Sequence, residues 1–462
     1  MKYIKSLSKT ELSYCFLILL ALVIYVFVSP YYRIYNSDNA WTLSFGYNWL
    51  NYGIETDVLM NDGSGVTLSG KIGHFIYVHL LELIGFTKYK AFLISGIFYI
   101  ISLPIWWQIL KTVGFDRKIK ISFTLAMLVI EPLYSLSHQS RLDSLTFFLV
   151  SLTILFFIKK RFFVSALFCM LAFETHFVGI LGAFYCLAYL LANPLHIFEN
   201  KRQAIKSFSL LLVGGLCGVT IWFMLHQDYI MQYFTFIRQE TGRQSWLESN
   251  SLLSYFFLTK YYRHLPELLL IISSLVIFIK SGFYKKGGHF RFALTSSVLV
   301  VVVTLIFPRG NPLYMAFYYP AFLMLIFSVF YEYKKIWLIN VIWFCMLLPQ
   351  YFGVYYLEKD YPGWTNYVNN IETNTLVHEN APLYGNYDMW FIYKDKAAGF
   401  FHYIRLPEAE ADVITISATN EEVYPDKLET FLKMLSGYDC SHKNSYTFHS
   451  REYQNWLCTK LR

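Results

Sequence analysis

The chain has 462 residues, of which 56% are hydrophobic and only 15% are charged. Soluble proteins carry about a quarter charged residues, so this composition excludes an ordinary soluble domain. The net charge of +8 does not indicate nucleic-acid binding, because the Lys and Arg residues cluster in short loops between apolar runs.

The apolar runs predict an all-α polytopic membrane protein with about eleven spans, most of them near the length that a span requires. The runs are 12–30, 91–110, 119–137, 144–158, 162–174, 177–193, 207–226, 266–280, 291–307, 312–330 and 335–354. The alternating basic loops place the N-terminus in the cytoplasm and the C-terminus outside. The segment 72–85 would invert every later loop if it crossed, so we interpret it as an interfacial or re-entrant helix.

The first outer loop contains a candidate catalytic carboxylate, Asp38. It begins a stretch in which Trp41, Phe45 and Trp49 recur every four residues, as in a helix lying along the membrane interface. A carboxylate at this boundary could accept a proton from a substrate. It could equally be the N-cap of the helix, with Ser37 as a competitor.

Two further polar groups lie where apolar runs begin or end on the outer side. Arg141 and Asp143 precede one run, and Glu174 and His176 separate two others. Arg141 could bind a phosphate through parallel hydrogen bonds, or it could pair with Asp143, which could itself cap the helix. Glu174 and His176 could contact a substrate or a metal, or could simply be polar residues at a turn.

Three more outer arginines are candidates for binding an anionic substrate. Arg309 lies in a turn between Pro308 and Gly310, where it could hold a phosphate leaving group or extend toward lipid head groups. Arg263 precedes a later span. Arg243 lies in the middle outer loop, where a solvated charge cluster is the simplest interpretation.

The composition divides the chain into a membrane domain, 1–354, with outer loops 31–70 and 227–265, and an external domain, 355–462. Residues 413–417 alternate like a strand, and residues 426–435 have the apolar stripe of a helix. These features predict a small α/β or α+β domain. It contains Cys440 and Cys458, which could form a disulfide in an oxidising compartment or stay as unpaired thiols.

Three local patterns, taken in order, resemble a known family. The first is Ser37-Asp38-Asn39-Ala40-Trp41; the second is Ser140-Arg141-Leu142-Asp143-Ser144 followed by the segment 171–179; the third is Pro308-Arg309 before an aromatic-rich run. Together they are similar to the GT-C superfamily of membrane glycosyltransferases. The similarity is closer to the branch of protein O-mannosyltransferases and lipid A aminoarabinose transferases, and covers residues 10–330.

The resemblance implies an inverting transfer of a sugar from a polyprenyl-phosphate donor to a hydroxyl of a glycan, lipid or protein acceptor outside the membrane. Asp38 would be the general base, and Arg309, Arg141 or Arg263 would compensate the charge of the leaving phosphate. Glu174, His176, Asp143 and Arg243 are the candidate substrate contacts. Many relatives have a second acidic residue where this chain has Asn39, which leaves a divalent metal requirement open; no other cofactor is implied.

Two other functions compete with this interpretation. An O-antigen polymerase or ligase would rely on arginines of the large outer loops, for which residues 238–264 could serve. A lipid or sugar transporter usually has charged or broken helices at the bilayer midplane, whereas the ionisable residues here lie at the outer ends of spans. The composition favours a bacterial inner membrane, with the external domain in the periplasm.

Overall fold

Within the described residues, the apolar runs of the sequence fold as helices, and the C-terminal part contains a small sheet. The computed structural model describes residues 19, 37–54, 58–59, 70–138, 141–198, 200–227, 230–231, 264–306, 314–343, 364–396, 399–419, 428–448 and 451–461.

Most of the described helices lie before residue 344. In chain order they are α1 (Ser37–Tyr52), α2 (Lys71–Ile84), α3 (Lys88–Val113), α4 (Arg117–Val129), α5 (Glu131–Ser137), α6 (Asp143–Ile158), α7 (Phe162–Thr175), α8 (Leu181–Ala192), α9 (Pro194–Ile197), α10 (Lys201–His226), α11 (Leu265–Lys280), α12 (Gly288–Ile306) and α13 (Met315–Glu332). Residues 336–343 are also helical. The short 3-10 helices Phe177–Ile180 and Phe283–Lys285 precede α8 and α12.

Three helices of the described residues are long and apolar enough to cross a membrane: Lys90–Val113, Lys201–His226 and Met315–Glu332. The prediction of about eleven spans is therefore not confirmed, although the described part of the chain is built mostly of helices. The first predicted run, 12–30, lies outside the described residues apart from residue 19. The last two of these three helices differ in burial, since α13 is almost wholly buried whereas α10 buries few of its side chains.

The run 119–137, predicted as one span, is two helices. Ile130 between α4 and α5 has extended backbone, with φ −74° and ψ 128°. Pro132 explains the break, because proline has no amide hydrogen and fits the first turn of a helix but not its interior. The chain therefore begins a new helix at Glu131 instead of continuing the old one.

Helices α6 and α7 form an antiparallel hairpin whose open end faces the predicted outer side. The connection contains Lys159, Lys160 and Arg161, and Lys160 has the left-handed φ of 59°. Because α7 returns along α6, its last residue, Thr175, reaches the same end of the bundle as Asp143, the first residue of α6. The hairpin thus brings together two polar groups that are distant in sequence.

Helix α10 packs closely against α7 through two glycines. A Cβ on Gly214 would lie 2.5 Å from the carbonyl oxygen of Phe163, and a Cβ on Gly218 would lie 2.3 Å from the Cβ of Met170. Both distances are too short for real atoms, so the two helices can approach this closely only where neither position carries a side chain.

Replacing Gly218 with alanine should therefore destabilise the membrane domain by about 1–3 kcal/mol, because the extra methyl forces α7 and α10 apart. Gly215→Ala is the matched control, since a Cβ there has no neighbouring atom within 4 Å. Thermal unfolding of the detergent-solubilised protein measures the difference. Equal unfolding temperatures for the two variants would contradict the close packing.

The predicted external domain is, within the described residues, a five-stranded mixed sheet with helices. Its elements are α14 (Trp364–Asn374), β1 (Leu383–Gly385), α15 (Trp390–Tyr393), β2 (Phe400–His402), β3 (Val413–Ala418), α16 (Leu428–Met434), β4 (Tyr438–Phe448) and β5 (Arg451–Lys460), with 3-10 helices Tyr387–Met389 and Tyr403–Glu408. The strand order is β2-β1-β3-β5-β4. Strand β1 is parallel to β2 and β3, whereas β5 is antiparallel to β3 and β4.

The domain core lies between the sheet and its helices, as the alternating strand predicts. Ile414 and Ile416 of β3 are fully buried against Leu406, Leu428 and Phe431. The strand and helix expected over 413–417 and 426–435 correspond to β3 and α16. The boundary at residue 354 stays a prediction, because 344–363 lie outside the described residues.

Cys440 and Cys458 face each other in the β4–β5 ladder and form a disulfide. Replacing both with serine should lower the stability of the external domain by about 2–4 kcal/mol. The disulfide restricts the unfolded chain, so that the cross-linked protein loses less conformational entropy on folding than the serine variant does. Thermal unfolding with and without reductant measures this loss. Cys217→Ser is the control, since that free thiol is exposed on α10. A wild-type protein insensitive to reductant would contradict the expectation.

The external domain packs directly on the first outer loop. Its His402 amide donates to the carbonyl of Leu59 at 2.9 Å, and the Arg405 guanidinium donates to the carbonyl of Val58. These bonds involve the backbone of residues 58–59, so they hold the path of the loop itself.

Side chains make a second contact between the domain and α1. The Tyr47 hydroxyl donates to Asp395, which also accepts from Lys394. The Tyr47 ring lies 5.8 Å from the Trp390 ring and 5.2 Å from Phe86. Burial and the adjacent carboxylate raise the pKa of Tyr47, which keeps the phenol protonated as a donor. Burial alone would raise the pKa of Asp395, but its bonds to Lys394 and Tyr47 hold it below the ordinary value.

Candidate functional site

The open end of the α6–α7 hairpin gathers three of the residues that the sequence singles out. Arg141 Nε donates to Asp143 Oδ2 at 2.8 Å, and His176 Nε2 lies 4.0 Å from the other carboxylate oxygen, Oδ1. The Asp143 side chain is 4% exposed, whereas those of Arg141 and His176 are 15% and 19% exposed. We call Arg141, Asp143, His176 and the adjacent Tyr314 the outer cluster.

The backbone fixes how His176 presents its ring. The amide of Val178 donates to His176 Nδ1 at 3.2 Å, so Nδ1 acts as an acceptor and a proton on the neutral ring resides on Nε2. That nitrogen faces Asp143 and lies 3.4 Å from the Tyr314 hydroxyl. The Nε2 proton can be donated to the Tyr314 hydroxyl, at the residue before α13, whereas Asp143 Oδ1 lies beyond hydrogen-bond distance of the ring.

Asp143 pairs with Arg141, as one of the two expectations from the sequence has it. It is the first residue of α6 and not its N-cap, which is Leu142 without a side-chain cap bond. The expectation that Asp143 caps this helix is therefore wrong. Buried carboxylates need partners of opposite charge, and here Arg141 supplies one from two residues away.

Glu174 lies next to the outer cluster in sequence but contacts different residues. Its Oε1 accepts from the Ile72 amide at 3.3 Å and lies 3.3 Å from His226 Nε2, and both side chains are almost completely buried. Among the described residues, its Oε2 has no hydrogen-bond partner. Near this pair, Lys71 Nζ donates to the Leu225 carbonyl at 2.6 Å.

Helix α2 packs against the hairpin through two glycines, Gly70 just before the helix and Gly73 in its first turn. A Cβ on Gly70 would lie 2.6 Å from the Thr175 carbonyl oxygen, and a Cβ on Gly73 would lie 3.0 Å from Leu142. Gly70 also has the left-handed φ of +75°, which favours glycine. The start of α2 is therefore in contact with the residues that adjoin Asp143 and His176.

Helix α1 packs in turn on α2. His74 of α2 occupies the space that a side chain at Gly46 would fill, since a Cβ there would lie 2.7 Å from the His74 Cβ. Asp38 lies in the first turn of α1, although its side chain is outside the described part. The helix that carries the candidate base is thus connected to the outer cluster by direct packing through α2.

Three predicted phosphate or substrate contacts, Arg243, Arg263 and Arg309, lie outside the described residues, and their roles stay predictions. Within the described ranges, no three His, Cys, Asp or Glu side chains are close enough together to hold a metal ion. The question of a divalent metal near Asp38 stays open.

Two buried polar residues of this region, Lys71 and His226, were not predicted from the sequence to belong to the site. Lys71 is 6% exposed and lies 5.5 Å above the Trp49 ring. A signal for each was present: Lys71 follows a glycine at the start of an amphipathic helix, and His226 is the last residue of an apolar run. An ionisable residue at such a position is costly and often marks a site.

Comparisons with known proteins identify the fold. No protein-family model and no curated protein matches the sequence. Among solved structures, ArnT from Cupriavidus metallidurans bound to undecaprenyl phosphate is similar with TM-score 0.62 and 13% identity, over 97% of this chain and 98% of that one. Its apo state matches with TM-score 0.60 and 12% identity, over the same shares.

An oligosaccharyltransferase from Archaeoglobus fulgidus, tethered to an acceptor peptide, matches with TM-score 0.50 and 10% identity, over 93% of this chain and 69% of that one. The matches to ArnT extend over both the helical part and the external domain. The fold implied by the three sequence patterns is therefore confirmed, and the chain has the GT-C glycosyltransferase fold.

Proposed function

We propose that the chain is an inverting glycosyltransferase that moves a sugar from a polyprenyl-phosphate donor to a hydroxyl on the outer face of a membrane. The acceptor is a glycan, a lipid or a protein. The reaction takes place in a bacterial inner membrane, with the N-terminus in the cytoplasm and the external domain in the periplasm.

The observation that carries the proposal is the contact series from α1 through α2 to the outer cluster. It links α1, which carries Asp38 in its first turn, to a buried carboxylate, a guanidinium and an imidazole at one end of the helical bundle. Two neighbours with this fold support the choice of substrates: one binds undecaprenyl phosphate and the other is tethered to an acceptor peptide. A polar cluster at the end of spans suits a reaction at the membrane surface.

In the proposed reaction Asp38 removes the proton of the acceptor hydroxyl while the oxygen attacks C1 of the sugar. The bond from C1 to the phosphate oxygen breaks, and its electron pair leaves with the polyprenyl phosphate. A phosphate is already a competent leaving group, so a second carboxylic acid is not needed. Arg141, Arg263 and Arg309 are the cations proposed to stabilise the charge that develops on it.

The remaining polar residues of the site would hold the substrates. Asp143 and His176 offer a carboxylate oxygen and a ring proton for sugar hydroxyls, and Arg243 would contribute from the middle loop. Glu174, which the sequence offers as a further contact, is only 2% exposed, and no substrate contact is proposed for it. The lipid tail would lie between spans, where apolar side chains replace water.

Complementation of a deletion strain tests the proposal. Mass spectrometry of surface glycans, glycolipids and envelope proteins compares the strain with and without the wild-type chain. We expect the wild-type chain to restore a mass increment of one sugar, which also identifies that sugar. Unchanged masses, together with altered uptake or export of a lipid-linked sugar, would favour a transporter and reject the transferase.

A further inference from the structure

Helix α2 begins without a cap of its own. Its N-cap residue is Gly70, which has no side chain, and its first turn has no acidic residue. The free amide of Ile72 instead donates to the Glu174 carboxylate at 3.3 Å. A carboxylate satisfies a helix N-terminus through both the hydrogen bond and the helix dipole. The last turn of α7 therefore supplies the cap of α2.

The capping carboxylate is itself held by a third helix. Glu174 Oε1 lies 3.3 Å from Nε2 of His226, in the last turn of α10, and the two side chains are 2% and 3% exposed. The same end of α10 binds α2 a second time, because the Leu225 carbonyl accepts from Lys71 Nζ at 2.6 Å. We call Glu174, His226, Ile72 and Lys71 the three-helix junction.

The position of α2 determines the position of α1. The His74 ring fills the space beside Gly46, so a shift of α2 moves α1, because protein interiors have little room for independent movement. Asp38 lies at the start of α1. A contact at Glu174 can thus affect the candidate base without touching a substrate.

We propose that Glu174 is a positioning residue, whose carboxylate joins α7, α10 and the start of α2 and thereby holds α1 and Asp38 in place; the inference rests on the role proposed for Asp38. Its depth supports this role over a substrate contact. The residues nearby that do reach the surface, Arg141 and His176, are the ones available to substrates.

Two substitutions separate positioning from a chemical role. Glu174→Gln keeps an oxygen that can accept from both the Ile72 amide and His226, and we expect it to keep most of the sugar transfer. Glu174→Ala removes the acceptor, and we expect transfer to fall about tenfold or more, because small displacements of catalytic groups cost large factors. A carboxylate that transfers a proton or binds a substrate through its charge would lose activity with either change.

Hydrogen exchange of the protein in nanodiscs gives a readout that needs no substrate. In Glu174→Ala and His226→Phe the amides at the start of α2 should exchange faster than in the wild type, with those of α1 following, while exchange in α13 and in the external domain is unchanged. Glu82→Ala is the matched control, because Glu82 pairs with His79 on the exposed face of α2. It should alter neither exchange at the start of α2 nor transfer.

The outcomes distinguish the two proposals. Unchanged exchange at the start of α2 in Glu174→Ala overturns the positioning role, as does a Glu174→Gln variant that exchanges normally but is as inactive as the alanine variant. If the wild-type chain restores no sugar increment, the proposed function fails, and the exchange measurement alone still decides whether Glu174 holds α2.

Discussion

Replacing Asp38 with asparagine should lower sugar transfer by about 100- to 10 000-fold, the range that general-base catalysis contributes. Asparagine is nearly isosteric and cannot accept the proton of the acceptor hydroxyl. Asparagine caps helices as well as aspartate does, so any cap that the side chain of residue 38 gives to α1 is kept. The substitution therefore tests the charge alone, in the same complementation strain and with the membrane level of each variant measured.

Ser37→Ala is the matched control for the helix cap. It removes the competing N-cap and leaves the Asp38 carboxylate, so it should change transfer little even if it weakens the first turn of α1. The opposite pattern, with Asp38→Asn active and Ser37→Ala impaired, would identify the pair as structural caps. The base would then have to lie elsewhere on the outer side.

The second large effect is expected at the Arg141–Asp143 pair, for which the sequence leaves structural pairing and phosphate binding open. Asp143→Leu alone leaves the largely buried guanidinium without its carboxylate and should cost about 3 kcal/mol of stability. Arg141→Met combined with Asp143→Leu removes both charges, and such replacements are often neutral for folding. We expect the double variant to unfold near the wild-type temperature.

Transfer by the double variant decides between the two roles. If Arg141 stabilises the leaving phosphate, transfer should fall about 100-fold despite restored stability, the size of effect expected when one such donor is lost. Lys286→Met with Glu332→Leu is the control, because that ion pair has an exposed lysine and lies in another part of the bundle. A stable double variant with wild-type transfer would make the pair purely structural.

The sequence predicted a mostly helical chain, because apolar runs are local signals, but the predicted count of eleven spans is not confirmed. The basic turn at 159–161 predicts that α6 and α7 are antiparallel, and this is enough to bring Arg141 and Asp143 near His176. The break at Ile130 also has a local signal, because Pro132 does not fit the interior of a helix. The prediction gave more weight to the continuous apolar run and therefore treated 119–137 as one span.

The contacts that join separate helices could not be predicted in the same way. Glu174 and His226 are 52 positions apart, and whether they meet depends on the rotation and depth of two apolar helices with nearly featureless surfaces. The packing of Gly70 on Thr175 could not be predicted either, because a glycine in a loop does not indicate which backbone segment approaches it. A single sequence does not specify the distances between residues of separate helices.

The external domain is bonded to residues 58–59 through His402 and Arg405, and to α1 through the Tyr47–Asp395 contact. These contacts decide which segments can be exchanged between proteins of this fold. A chimera that takes only residues 364–461 from another protein of this fold would meet a loop and an aromatic surface shaped for a different partner. The unit that can be transplanted therefore consists of two separate segments, because the external domain must be transferred together with residues 37–59. That stretch includes the helix that begins at Ser37, so a grafted domain would bring its own copy of Asp38.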